Sequence, residues 1–329
     1  MKKNDVKYAN FVCKFIAKKM MDKLEEIILP AFVRDSIVRR RGENNYLFLE
    51  TGVVDLGTND NPEFCIVGQF VKAIVLRRDQ VLDAAGGELV QDPQFMESAP
   101  SAFFVLKLNG HRLMYMAETP HAPTLSEFET TARFRIRKMW EKYVADAKQL
   151  QSTELQDDNN SHGLTPPTIQ VTPLGGGLEL EEFLQKFEKI EILDIVVNPR
   201  NDEVDGGKLF QLMDEARKGV GGETGRIQFR SSEGLDADTT GDLLQDMAGS
   251  GNQRVKVTGK DASGDKISGN EDDYSVVDHI AEPAPDRVSR ATRLLQMFRE
   301  KLQQGILRDS ATSAESQQKL LRVFRNGRP

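Results

Sequence analysis

Three groups of side chains in this sequence could do chemistry: carboxylates near a lysine, a histidine near carboxylates, and clustered arginines. Asp55, Glu63 and Lys72 fall in one strand-rich stretch. Acids on adjacent strand ends with a lysine nearby are what a metal-dependent nuclease uses to hold Mg²⁺ and position water. A sheet this rich in charge also offers such a trio by chance. His279 lies beside Asp278 and near Asp273, but no nucleophile motif accompanies it. The other histidines, His111, His121 and His162, have no partner at i,i+4 spacing. Cys13 and Cys65 have no neighbour at CxxC spacing, so neither a zinc site nor a disulfide framework is expected. The glycine-rich run from Lys218 to Arg226 follows a predicted helix, whereas a phosphate-cradling loop must open one, and its lysine is misplaced. Gly249-Ser250-Gly251 lacks the third glycine of a dinucleotide fingerprint. The acidic run Asn201 to Gly206 resembles the start of a calcium loop, but Leu212 stands where the bidentate glutamate belongs. No cofactor and no metal are therefore expected.

Arginines carry the stronger signal. Arg39, Arg40 and Arg41 are consecutive, and Arg133, Arg135, Arg137 and Lys138 share two helical turns. Further basic pairs and singles occur at Arg77-Arg78, Arg322, Arg325 and Arg328. Phosphate neutralisation needs such sets on one face, and without a base-reading motif the contact would be sequence-independent. The competing expectation is ion pairing within the chain. Residues 1–150 carry a net charge of +2, residues 151–285 carry −15, and residues 286–329 carry +6. A chain so divided suits a charged partner, or pairing of its own basic and acidic segments within or between subunits.

The elements that must position these residues are legible in outline. The apolar spacing of Phe11, Phe15, Ile16, Met20, Leu24, Ile27 and Ile28 predicts a helix over 5–29, ended by Pro30. Residues 44–118 predict an antiparallel sheet, with Asn109-Gly110 as a hairpin turn and Gly86 to Pro100 as a loop. Thr124 and Glu127 have capping-box spacing ahead of a helix over 125–148, whose buried stripe would run Phe128, Ala132, Ile136, Met139, Trp140, Tyr143, Ala147. The polar, Pro- and Gly-marked stretch 151–178 reads as a linker. Residues 179–283 give the order α-β-α-β-α-β-β, with the first strands expected parallel through right-handed crossovers and the last strand spanning Tyr274 to Ile280. Two basic helices follow, over 286–304 and 314–324, the second with Thr312 and Glu315 at capping-box spacing.

The expected fold is α+β. It comprises an N-terminal helix and antiparallel sheet domain (1–150), a linker (151–178), an acidic α/β domain (179–285) and a basic helical tail (286–329). With no apolar run near the ~20 residues of a membrane span and no secretory leader, a cytoplasmic protein is expected. The segments FFVLKLNGHRLMYMAETPHAPTLSEFETTARFRIRKMW (103–140) and VKVTGKDASGDKISGNEDDYSVVDHI (255–280) resemble part of a family of uncharacterised bacterial proteins. The resemblance implies a phage-defence or mobile-element context and supplies no catalytic residues. The leading expectation is a non-catalytic nucleic-acid-binding or sensing subunit, DNA included among its targets. The alternatives are a metal-dependent nuclease and an oligomeric assembly scaffold, so a protein partner or homo-oligomer is expected too.

Overall fold

The computed structural model of the chain describes residues 3–15, 20–34, 36–58, 60–149, 166–197, 208–222, 224–248, 251, 253–309 and 314–325. These form an α+β fold on two sheets. The N-terminal stretch corrects the first expectation: residues 4–14 are strand β1 (Asn4–Lys14), central in the larger sheet. Val6 and Tyr8 enter one core while Ala9, Phe11 and Cys13 enter the other. A strand buried on both faces carries a near-continuous apolar run, which a helical stripe also fits. Residues 20–33 are helical, as a 3₁₀ turn (Met20–Lys23), a π turn (Leu24–Ile28) and then α1 (Leu29–Val33). Pro30 sits in the first turn of α1, where its missing N–H costs nothing, and so opens a helix instead of ending one.

The antiparallel sheet over 44–118 is present. Strands β2 (Arg39–Arg41), β3 (Asn44–Asp55), β4 (Phe64–Asp83), β5 (Glu88–Ser98), β6 (Ser101–Lys107) and β7 (Arg112–Ala117) pair antiparallel. The Asn109-Gly110 turn joins β6 to β7, with Gly110 at φ 85° and His111 at φ 56°. The loop expected over 86–100 is instead mostly β5. Gly86-Gly87 forms only its turn, with Gly87 at φ 67°, and Pro93 sits where the β4–β5 register shifts.

Helix α2 (Leu125–Gln149) begins at its capping box: the Thr124 N–H donates to Glu127 Oε2 (2.8 Å) and the Glu127 N–H to Thr124 Oγ1 (3.2 Å). Residues 151–165 of the expected linker lie outside the described residues. The rest of it holds β8 (Thr168–Pro173), which pairs with β1. The larger sheet runs β13-β1-β7-β6-β4-β3-β2, where β13 is Val277–Ile280, with β8 along β1 and β5 along β4.

The smaller sheet runs β10-β9-β11-β12: β9 (Lys189–Val197), β10 (Gly225–Leu235), β11 (Gln253–Lys260) and β12 (Lys266–Asn270). All its pairs are antiparallel, which overturns the expected parallel crossover. A crossover helix must lie along the sheet. Among the described apolar side chains of α4 (Lys208–Gly219), Met213 reaches the core and Leu212 is exposed. Instead α3 (Gly177–Leu184) and α5 (Ala237–Ala248) cover the sheet, through Leu180, Phe183 and Leu244. The strand expected over 274–280 is β13 (Val277–Ile280), and it leaves this sheet to pair with β1.

Helix α6 (Arg287–Gln303) covers one face of the larger sheet with Ala291, Leu294, Leu295 and Phe298. The helical segment 20–33, α2 and α7 (Ala314–Arg325) cover the other. Thr312 lies outside the described residues, so its capping role is not described. Among the described residues no helix is long and apolar enough to cross a membrane.

Candidate nucleic-acid interface

The seven basic residues singled out above separate into three places. An α-helix turns about 100° per residue. Arg135, seven residues after Phe128, therefore falls on the buried stripe of α2 and is fully buried. Its guanidinium donates to the carbonyls of Ala31 (2.5 Å), Ile37 (2.6 Å), Phe32 (3.5 Å) and Arg34, and lies 4.9 Å from the centre of the Phe48 ring. This corrects the expectation for Arg135: no phosphate can reach it.

Arg133 lies on the β8 side of α2. It donates to Glu129 and to the Ile169 carbonyl (2.8 Å), and Glu129 also accepts from Arg254 (2.7 Å) and the Val171 N–H (3.0 Å). Arg133 is thus half of a bridge between α2 and β8.

The third place is the edge strand β2. Arg39 stacks 5.1 Å over the Tyr46 ring and donates to Thr131 Oγ1 (3.4 Å). Beneath it Glu127 Oε1 accepts from Tyr46 Oη (2.6 Å) and Lys72 Nζ (3.0 Å). Burial opposes ionisation of Glu127, but the hydrogen bonds from Tyr46, Thr124 and Lys72 outweigh it and hold the carboxyl below its ordinary range. Arg40 and Arg41 are exposed and form no ion pair with any described residue. Lys138 continues the Thr131 stripe two turns, about 10 Å, further along α2. It and Arg137 share Glu141, each at 3.2 Å. The β2 edge and the Lys138 stripe thus make a short basic surface anchored on a partly buried acid.

The trio read as a nuclease core is not brought together. Asp55 Oδ1 accepts the N–H groups of Gly57 (3.0 Å) and Glu63 (2.9 Å) and so ties a turn. Glu63 binds Arg299 (2.6 Å) and Lys107 (3.7 Å). Lys72 stands eight residues along β4 from Phe64, roughly 26 Å at strand rise. His279 is exposed and contacts Asp5 at 2.9 Å, while Asp278 serves Tyr8 (2.6 Å) and Lys301 (2.9 Å). No group of three or more His, Cys, Asp or Glu is placed to hold a metal among the described residues.

Among the described residues the basic tail pairs within the chain, but mostly with the first segment instead of the acidic middle. Arg290 binds Glu118, Arg299 binds Glu63 and Lys319 binds Asp22; Lys301 alone of these reaches Asp278 in the middle segment. Of the tail arginines, Arg328 and the side chain of Arg325 lie outside the described residues.

Sequence reasoning missed the polar cluster at the β6–β7 turn. Lys107 and Arg112 reach Asp309 at 2.6 and 3.7 Å, and Arg112 donates to the Arg308 carbonyl (3.1 Å), so the turn clamps the segment after α6. His111 is buried among them, with Nδ1 unpaired. Burial, then the charge of Arg112, pulls its pKa from 6.5 to about 4. Below pH about 6.5 the unfolded chain takes up a proton that the folded chain refuses. Stability therefore falls from pH 6.5 towards pH 4, by up to ~3 kcal/mol from this group. His111→Asn keeps a residue that tolerates positive φ. Urea midpoints at pH 7 and pH 4.5 should differ less in this variant than in the wild type; an equal difference would remove His111 from the acid response.

No protein-family model matches the chain, and a search of curated proteins finds no match.

Proposed function

We propose that this protein is a non-catalytic nucleic-acid-binding subunit whose phosphate contacts are made at the β2 edge, by Arg40 and Arg41 with Lys138 alongside. The observation that carries the reading is that Arg40 and Arg41 are exposed and lack a carboxylate partner among the described residues, whereas Arg133, Arg290 and Arg299 are paired. Edge-strand lysines and arginines also blunt unwanted strand pairing, so the charge costs the fold little. The acids of the nuclease alternative are engaged in turns and ion pairs, which favours binding over cleavage. A sensing role in bacterial phage defence rests on the resemblance of residues 103–140 and 255–280 alone.

Binding of labelled single- and double-stranded DNA and RNA across a salt series tests this. Each phosphate contact contributes about 0.9 to the log–log salt slope on duplex DNA, so Arg40→Ala with Arg41→Ala should lower the slope by about 2 and weaken binding on every sequence alike. Arg133→Ala, on the far side of α2, should leave the slope unchanged. Wild-type affinity in the double variant would overturn the assignment, and Mg²⁺-dependent cleavage would restore the nuclease alternative.

A further inference from the structure

The two faces of the smaller sheet differ in character. Side chains alternate along each strand, and Leu193, Ile195, Val197, Val255 and Val257 point into the core that α3, α4 and α5 share. The other face is basic. Reading across the strands, Arg226 and Arg254 flank Val196, Lys256 adjoins Asp194, and Arg230 adjoins Ile192. Beyond the bulge at Glu191, Lys189, Lys260 and Lys266 stand directly opposite one another on three neighbouring strands. Residues 151–285 hold twelve Lys and Arg against 27 Asp and Glu. Seven of those twelve are on this face. Among the described residues Asp194 is the one acid at a paired position of the face, and Glu191 reaches it from the bulge, 3.9 Å from Lys260.

Ion pairs do not neutralise this face. Arg226 binds Asp194 (2.7 Å from Nε), Arg254 binds Glu129 of α2 (2.7 Å), and Lys260 has Glu191. Lys189, Arg230, Lys256 and Lys266 form no ion pair with any described residue, so the face stays positive. Like charges directly opposite one another weaken a sheet. Basic side chains blunt an edge strand, but Lys189 and Lys260 lie on the inner strands β9 and β11, where no edge needs protecting. A local conflict of this kind marks a site. Its occupant is anionic, and the side chains between the cations narrow the type. Ser268 and Asn270 are exposed there and can donate to phosphate oxygens. Among the described residues no aromatic ring stands at a paired position of the face, so the bases of a single strand have nothing to stack on. Ile192 and Val196 are half-buried between the strands, so nothing apolar protrudes to enter a bilayer. A duplex has its bases already stacked and presents phosphates from two backbones over a broad surface. The face offers about 14 Å across its four strands and about 20 Å along β11.

We propose that this outer face of the smaller sheet is a second phosphate-contacting surface, which holds the backbone of a nucleic-acid duplex. It rests on the reading that the protein binds nucleic acid, but not on the β2 edge. The test titrates the full chain with a short labelled DNA duplex, one of its strands alone, and vesicles containing phosphatidylserine, across a salt series. Arg230→Gln, Lys256→Gln and Lys266→Gln together should lower the log–log salt slope on the duplex by about 3. The charge-keeping triple, Arg230→Lys with Lys256→Arg and Lys266→Arg, should keep the wild-type slope. Removing one lysine of the opposed row relieves repulsion, so the urea midpoint of the glutamine triple should stay at or above wild type. A glutamine triple with the wild-type slope overturns the proposal; if Arg40→Ala with Arg41→Ala lowers the slope in the same series, the β2 edge stands without it. A lower slope in the glutamine triple alone upholds this face and removes the β2 edge. Tighter binding of the single strand or of the vesicles than of the duplex overturns the duplex as its occupant. A wild type that binds no duplex at low salt overturns both readings.

Discussion

Arg135→Leu should cost at least about 4 kcal/mol of stability, enough to leave much of the chain unfolded at 37 °C given total stabilities of ~5–15 kcal/mol. The side chain is fully buried and its guanidinium reaches carbonyls of Ala31, Phe32, Arg34 and Ile37. The first three belong to the last turn and end of α1, where four backbone carbonyls have no helical partner. A cation there satisfies them and meets the negative end of the helix. Leucine fills part of the volume but leaves several buried acceptors unpaired, each worth about 1–3 kcal/mol. Arg135→Lys keeps the charge but not the planar five-donor fork, so it should recover only part of the loss. Urea unfolding followed by the fluorescence of Trp140, on the same helix, measures both. A leucine variant of wild-type stability that has lost nucleic-acid binding would mean that Arg135 acts at the surface, against its burial here.

Arg135 also shows what was legible in the sequence. Its place in a run of basic residues suggested a surface cluster. The helical period pointed the other way: Phe128, Ala132, Arg135 and Met139 follow i, i+4, i+7, i+11, the spacing of one face. A polar residue on an apolar stripe is the signal of a buried structural cation, and it was present. The capping box of α2 and the Asn-Gly turn were readable because both are local devices with a fixed spacing. β1 was not, because a strand buried on both faces lacks the alternation that identifies strands. The β4–β5 hairpin was hidden for a different reason: Gly86, Gly87 and Pro93 are genuine breakers, but they shape its tip and a bulge within it and do not open a loop. The direction of β10 against β9 was beyond reach, since the α-β-α-β order is common to parallel and antiparallel sheets. At the interface, sequence could locate the arginines but not say which already had partners. That depends on contacts such as Arg133 with Ile169, thirty-six residues away, and Arg299 with Glu63.

Phe128→Ala should cost about 3–5 kcal/mol, the upper range for deleting a buried ring. The ring is fully buried, with five aromatic neighbours: Phe104 (5.1 Å between centroids), Phe48 (5.3 Å), Phe70 (5.6 Å), Tyr115 (5.8 Å) and Phe32 (6.3 Å). Three of these contacts are edge-on, the geometry that the ring quadrupoles favour. The neighbours come from β3, β4, β6, β7 and α1, so no single element can move in to close the cavity. Phe128→Leu keeps most of the volume and should cost less than half as much. Phe128 and Arg135 both pack on Phe48, from the same helix and two turns apart. Mutations that share a partner seldom add. Once Phe128→Ala has loosened Phe48 and the α1–α2 contact, Arg135→Lys has less left to disturb. The double variant should therefore lose less than the sum of the singles, by about 0.5–3 kcal/mol in a double-mutant cycle. Strict additivity would show that the aromatic core and the α1 carbonyl clamp are independent supports. A positive coupling would make α2 one lever, holding the sheet with its ring and the β2 edge, through α1 and the turn after it, with its buried arginine.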